Sequence, residues 1–119
     1  MANDFIRVCT PNISNSSNTT IYAVPAGASS AALESIVIGI TMANKTSSGV
    51  TASIFIDNED GSNDVYIVKD ASIPAGASLE VMSGNKLVLQ NDGTNGDNLE
   101  ALCSAASSLD VTVSVLEDV

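Results

Sequence analysis

The stretch Leu33-Glu34-Ser35-Ile36-Val37-Ile38-Gly39-Ile40-Thr41-Met42-Ala43-Asn44, then Lys45-Thr46-Ser47-Ser48-Gly49, then Val50-Thr51-Ala52-Ser53-Ile54-Phe55-Ile56-Asp57, decides the fold class. In the first run Ile36, Ile38, Ile40 and Met42 fall on one face, and Ser35, Val37, Gly39 and Thr41 on the other. That is a strand's period of two. In the second run Val50, Ala52, Ile54 and Ile56 share a face opposite Thr51, Ser53, Phe55 and Asp57. The connection is short and contains Gly49, so the two runs read as a β-hairpin. A lone hairpin is marginal in water, and its Ile-rich face requires a covering layer from the rest of the chain.

Working outward, residues 5 to 9 suit a short strand, and Pro11 to Thr20 is Asn, Ser and Thr except for Ile13. Such a segment buries too little apolar surface to offset its own ordering entropy, and reads as a loop or as an arm that orders against a neighbour. The expected division is therefore residues 1–20 as N-terminal strand and polar arm, and 21–119 as one β-sandwich domain. Ile21-Tyr22-Ala23-Val24 is closed by Pro25-Ala26-Gly27-Ala28-Ser29, and the same five residues recur as Pro74-Ala75-Gly76-Ala77-Ser78. Pro fixes φ and Gly tolerates positive φ, so each copy can reverse the chain, and the recurrence suggests two similar crossings between sheets. Val65 to Val68, Leu79 to Met82, Leu87 to Leu89, entered through the turn Ser83-Gly84-Asn85, and Leu99 to Ala105 add further strands. In the closing run Leu109, Val111, Val113 and Val115 alternate with Asp110, Thr112, Ser114 and Leu116. About eight strands at regular spacing, with no helical period, indicate an all-β antiparallel sandwich. Greek-key-length connections and the absence of Trp favour a jelly roll over an immunoglobulin-type sandwich.

Composition narrows function by exclusion. Four Lys plus Arg against fourteen Asp plus Glu give a formal net charge of −10, which repels nucleic-acid phosphates and anionic membrane surfaces. The same excess acid keeps a chain rich in Ile, Val, Leu and Ala soluble. The N-terminus has no basic region followed by an apolar run of signal-peptide length, which leads us to expect a protein made in a cytoplasm with Cys9 and Cys103 as free thiols.

The chain has no His and one Arg, no Gly-x-Ser-x-Gly elbow and no glycine-rich phosphate loop, so the expectation is a protein that is not an enzyme and has no cofactor. A pair of carboxylates could in principle cleave sugars, but such sites add aromatics, and two Phe and two Tyr are few. Asp57, Glu59, Asp60 and Asp64 gather hard oxygen ligands around Gly61 and form a weak Ca²⁺ candidate that lacks EF-hand spacing. A solvated acidic turn is the preferred reading of these residues. Val37, Phe55 and Leu116 interrupt otherwise polar faces, and are the candidates for an apolar contact with a neighbouring subunit.

From Thr19 to Glu117 the order of features resembles a group of small all-β bacteriophage virion proteins. The residues that carry it are Thr20-Ile21-Tyr22-Ala23-Val24-Pro25-Ala26-Gly27, the strand ending Ala43-Asn44, Tyr66-Ile67-Val68-Lys69-Asp70, Ile73-Pro74-Ala75-Gly76-Ala77-Ser78-Leu79-Glu80 and the closing Leu109 to Glu117. These are turns and strand edges. The resemblance implies an accessory virion part, a capsid decoration or cement protein, or a neck or tail component. Its partners would be other virion proteins such as the major capsid protein and further copies of itself, expected as a trimer. From a different class, a soluble ligand- or carbohydrate-binding β-sandwich module is the alternative.

Overall fold

The computed structural model describes residues 3–57, 64–82 and 86–118. Among them are nine strands: β1 (Asn3–Thr10), β2 (Thr19–Ala23), β3 (Leu33–Asn44), β4 (Val50–Asp57), β5 (Asp64–Ile73), β6 (Ser78–Glu80), β7 (Leu87–Asn91), β8 (Asn98–Cys103) and β9 (Leu109–Asp118). One sheet runs β1-β9-β3, with β6 and β7 following one another along the far side of β3; the other runs β2-β8-β4-β5. Strands pair first with last: β1 with β9, β2 with β8, β3 with β6 and β7, β4 with β5, all antiparallel. A long nested hairpin wound into two sheets is the double Greek key of a jelly roll. The expected fold class stands, with one strand position filled by the two short strands β6 and β7.

The hairpin expected at Leu33–Asp57 does not form. β3 lies in the first sheet and β4 in the second, so Lys45 to Gly49 arches between layers. Alternation tells which face is buried, but not whether the next strand lies beside or opposite. Asn44 fixes the arch. Its buried Nδ2 lies 2.8, 3.1 and 3.2 Å from the carbonyl oxygens of Ser48, Ile73 and Pro74, and its Oδ1 accepts the Thr46 N–H at 3.0 Å. Both proline turns lead from the second sheet into the first, the two similar crossings that the recurrence suggests. Their local forms differ: Ala77 N–H bonds Pro74 O at 3.1 Å with Gly76 at φ 68, whereas Ala28–Ser30 makes a 3-10 turn. The Ser83-Gly84-Asn85 turn lies outside the described residues.

Between the sheets the core is aliphatic. Ile40, Met42, Leu109, Val111 and Val113 from one layer meet Ile54, Leu99, Ala101 and Ile73 from the other, all essentially inaccessible. Phe and Tyr contribute little, so the layers pack through branched side chains that retain few rotamers to lose.

β3 departs from simple alternation. Its pairing with β9 shifts register between Val37 and Gly39, a bulge that inserts Ile38. Before the bulge Leu33, Ser35 and Val37 point inward; after it Ile40, Met42 and Asn44 do. The Ile36-Ile38-Ile40-Met42 face of the sequence is thus split, with Ile38 turned out to 40% exposure.

The N-terminal segment belongs to the sandwich. β1 pairs with β9 along its whole length, Ile13 is buried, and its N–H bonds Leu109 O at 3.0 Å while Ser14 O accepts Cys103 N–H at 3.1 Å. Buried Ile13 and these backbone bonds hold the polar stretch against its own subunit, and the expected division at residue 20 falls just inside β2.

Candidate functional site

Register assembles a row of apolar side chains across the outer face of the first sheet. Phe5 pairs with Leu116, Leu116 with Ile36, and Ile36 with Val88, so four strands contribute one residue each to a line perpendicular to the strands. Directly paired residues project from the same face. Phe5 is 79% exposed and Val88 55%, Ile36 and Leu116 are half-buried, and Ile38 joins them by way of the bulge. Beside the row lies a shallow depression of about 230 Å³, lined by Phe5, Ile6, Arg7, Ile38, Ser114 and Val115. It is smaller than a typical ligand pocket, which takes roughly 300–1,000 Å³.

The strands bearing this row are held from beneath by a buried polar group. Ser35 and Glu117, cross-strand partners one residue from Ile36 and Leu116, point into the core. Tyr22 crosses from β2 of the opposite sheet to meet them, donating its O–H to Glu117 Oε2 and lying 2.8 Å from Ser35 Oγ. With the Tyr proton given to the carboxylate, Ser35 is the donor in the second contact. Burial first, and then the Glu117 carboxylate, raise the Tyr22 hydroxyl well above its ordinary pKa of 10.0, so it stays neutral. The group pins the two layers together under the apolar row.

Three sequence candidates for a subunit contact are distributed differently from expectation. Val37 is 0% exposed, because the bulge turns it into the core, and Phe55 is 3% exposed. Phe55 keeps its place on the outer side of the second sheet but is covered by its β5 partner Tyr66, ring centroids 5.4 Å apart and tilted by 47°, with Lys69 Nζ 4.8 Å above the Tyr66 ring. Neither is free to meet a neighbour. Leu116 sits in the middle of the outer row. Phe5, Ile38 and Val88 were missed by alternation within single strands. The run Leu87-Val88-Leu89 holds the signal for Val88, since three successive apolar residues cannot all face one core.

For the cation candidate, Asp57 and Asp64 are direct cross-strand partners at the ends of β4 and β5, while Glu59 and Asp60 lie outside the described residues. Glu100, on β8 opposite Phe55, joins the two on this side of the sheet. Burial raises the Glu100 pKa, the charges of Asp57 and Asp64 raise it further, and a 3.3 Å hydrogen bond from the Thr20 hydroxyl opposes them. Among the described residues no group of three or more His, Cys, Asp or Glu is arranged to hold a metal ion. Cys9 is exposed on β1 and Cys103 is buried on β8, in different sheets.

No family model and no curated protein matches the sequence. Among solved structures, the chain is similar to part of the infectious bursal disease virus Gx strain structure, at 13% identity and TM-score 0.46, covering 97% of this chain and 32% of that one. It is similar to the Bacillus endospore appendages described as disulfide-linked pili, at 15% identity and TM-score 0.42, covering 97% and 86%. A third is the STIV MCP, at 14% identity and TM-score 0.29, covering 93% and 48%. The chain therefore spans about a third of the first and about half of the third. All three scores are low, and the jelly-roll assignment rests on the strand order and register given above.

Proposed function

We propose that this chain is a non-enzymatic structural component of a bacteriophage virion, decorating or cementing the capsid by self-association and docking on the particle. The observation that supports this most is the pairing of a jelly roll, an architecture used by viral capsid and lectin domains, with an ordered apolar row on its outer sheet. Contiguous exposed apolar surface marks an interaction site. The row lies on four hydrogen-bonded strands and not on loops, so the surface is preformed, and association through it costs little ordering entropy. The polar group inside the molecule is spent on joining the sheets, which fits a part that bears load and carries out no reaction.

Immunogold labelling of density-purified particles from the source host tests the reading. Label spread over the capsid faces supports decoration. Label confined to one vertex or to the tail supports a neck or tail component instead. Unlabelled particles, with the chain recovered only from the soluble fraction, overturn the virion reading and favour the carbohydrate- or ligand-binding module.

A further inference from the structure

We propose that the outer face of the β1-β9-β3-β7 layer packs against the same face of a second copy of this chain, about a two-fold axis that runs along the Phe5–Leu116–Ile36–Val88 row. The proposal deepens the virion reading by naming the surface used for self-association, and it is tested apart from that reading.

Charges flank the row asymmetrically. On one side, two residues along each strand, come Arg7 on β1, Ser114 on β9, Ile38 at the bulge of β3, and Lys86 just before β7. On the other side come Glu34 on β3 and Gln90 on β7, which are partners. Two of the chain's four cations thus stand on one side of the row and the carboxylate of Glu34 on the other. Arg7, Lys86 and Glu34 are exposed. Rotation about the row exchanges its two sides. It sets Lys86 of one copy one strand from Glu34 of the other. A strand spacing of about 4.8 Å is within reach of these long side chains. Rotation about an axis parallel to the strands would instead oppose Arg7 of one copy to Lys86 of the other. The apolar residues meet their own copies across the axis.

The area agrees. The four strands, of 8, 10, 12 and 5 residues for β1, β9, β3 and β7, at about 4.8 by 3.3 Å per residue, give a face of roughly 550 Å² per copy, or about 1,100 Å² in total, just above the roughly 1,000 Å² that a specific interface needs. A three-fold ring needs two different complementary surfaces, whereas a face that carries its own complement closes as a pair. This selects a dimer over the expected trimer. The formal charge of −10 on each copy opposes approach, and salt screens that repulsion.

Sedimentation velocity on the full chain, from about 1 µM to 1 mM in 0.05 and 0.5 M NaCl, reads the association. The expected result is a monomer–dimer equilibrium that tightens with salt. Phe5→Ser and Val88→Ser, both at exposed positions, weaken it at least tenfold. Lys86→Glu and Glu34→Lys each weaken it several-fold, and the double exchange K86E/E34K recovers most of the loss. Circular dichroism of each variant checks that the sandwich is intact. A monomer throughout, a trimer, or a dimer indifferent to Phe5 and Val88 overturns the proposal. A dimer weakened by Phe5→Ser but with no recovery in the double exchange overturns the orientation of the axis. Each result is independent of whether the chain is found in virions.

Discussion

Replacing Tyr22 by Phe removes one oxygen from the middle of the sandwich and leaves the ring in place. Glu117 then loses the O–H that it accepts from the opposite sheet, and Ser35 loses its acceptor. A hydrogen bond to a charged group contributes about 1.5–3 kcal/mol, and leaving a buried polar atom unpaired costs about 1–3 kcal/mol. Glu117 lies close to the end of β9 and keeps 7% exposure, so water reaches part of its carboxylate and the lower half of that range applies. The expected loss is about 2 kcal/mol, or roughly 6–10 °C in Tm for a domain of this size. Glu117→Gln, which keeps an acceptor for Tyr22, should cost less. The alkaline limb gives a second readout. Because folding raises the Tyr22 pKa above 10.0, its contribution is complete below pH 10 and is lost as pH rises toward the folded value. The unfolded chain releases its proton first, so stability falls by at most about 1.4 kcal/mol per pH unit from this group. Urea titrations of the wild type and Tyr22→Phe between pH 8 and 11.5 should show this slope in the first and a shallower one in the second. A Tyr22→Phe protein within about 0.5 kcal/mol of wild type and with the same alkaline slope would refute the role given to the group.

Other expectations concern the bulge and the surface charges. Val37→Ala should cost about 2 kcal/mol as a core cavity and Ile38→Ser no more than about 0.5 kcal/mol by denaturant titration; the reverse order would place the bulge wrongly. Asp64→Asn relieves a like-charge pair directly across from Asp57, and should stabilise by a few tenths of a kcal/mol. The Glu100 contribution is present below its ordinary 4.5 and lost as pH rises, so Asp64→Asn should help more at pH 7 than at pH 4, and equal effects at both would contradict the charge account. The hydrogen bond from Lys45, at 2.9 Å, holds the Asp110 carboxyl below its usual range, a contribution present above 3.8 and lost as pH falls. The pair is exposed, so Lys45→Ala should cost no more than about 0.5 kcal/mol at pH 7, and a larger loss in thermal melts would show that Lys45 does more than pair.

The sequence is most legible where alternation is clean. β9 reads correctly from Leu109 to Val115, and the twin Pro-Ala-Gly-Ala-Ser turns correctly announce two crossings from one sheet to the other. Alternation cannot show whether β3 and β4 lie side by side, and the contact that decides this, Asn44 reaching Ile73 and Pro74, spans about thirty residues. The bulge at Ile38 is a property of pairing with β9 and leaves no mark in β3 itself, so Val37 was expected on the surface and lies in the core. Leu116 stands out in the sequence because it is the apolar residue on the Asp110-Thr112-Ser114 face; Phe5, Ile36 and Val88 become part of the same row only once four strands are in register.

The proposed place of the chain in a virion is open to one direct measurement. Quantitative mass spectrometry of gradient-purified particles, before and after a high-salt wash, measures its copy number against the major capsid protein. A built-in part of the particle is expected at a fixed stoichiometry that survives the wash. A chain found only at trace, variable levels, or removed with the soluble fraction, would contradict it.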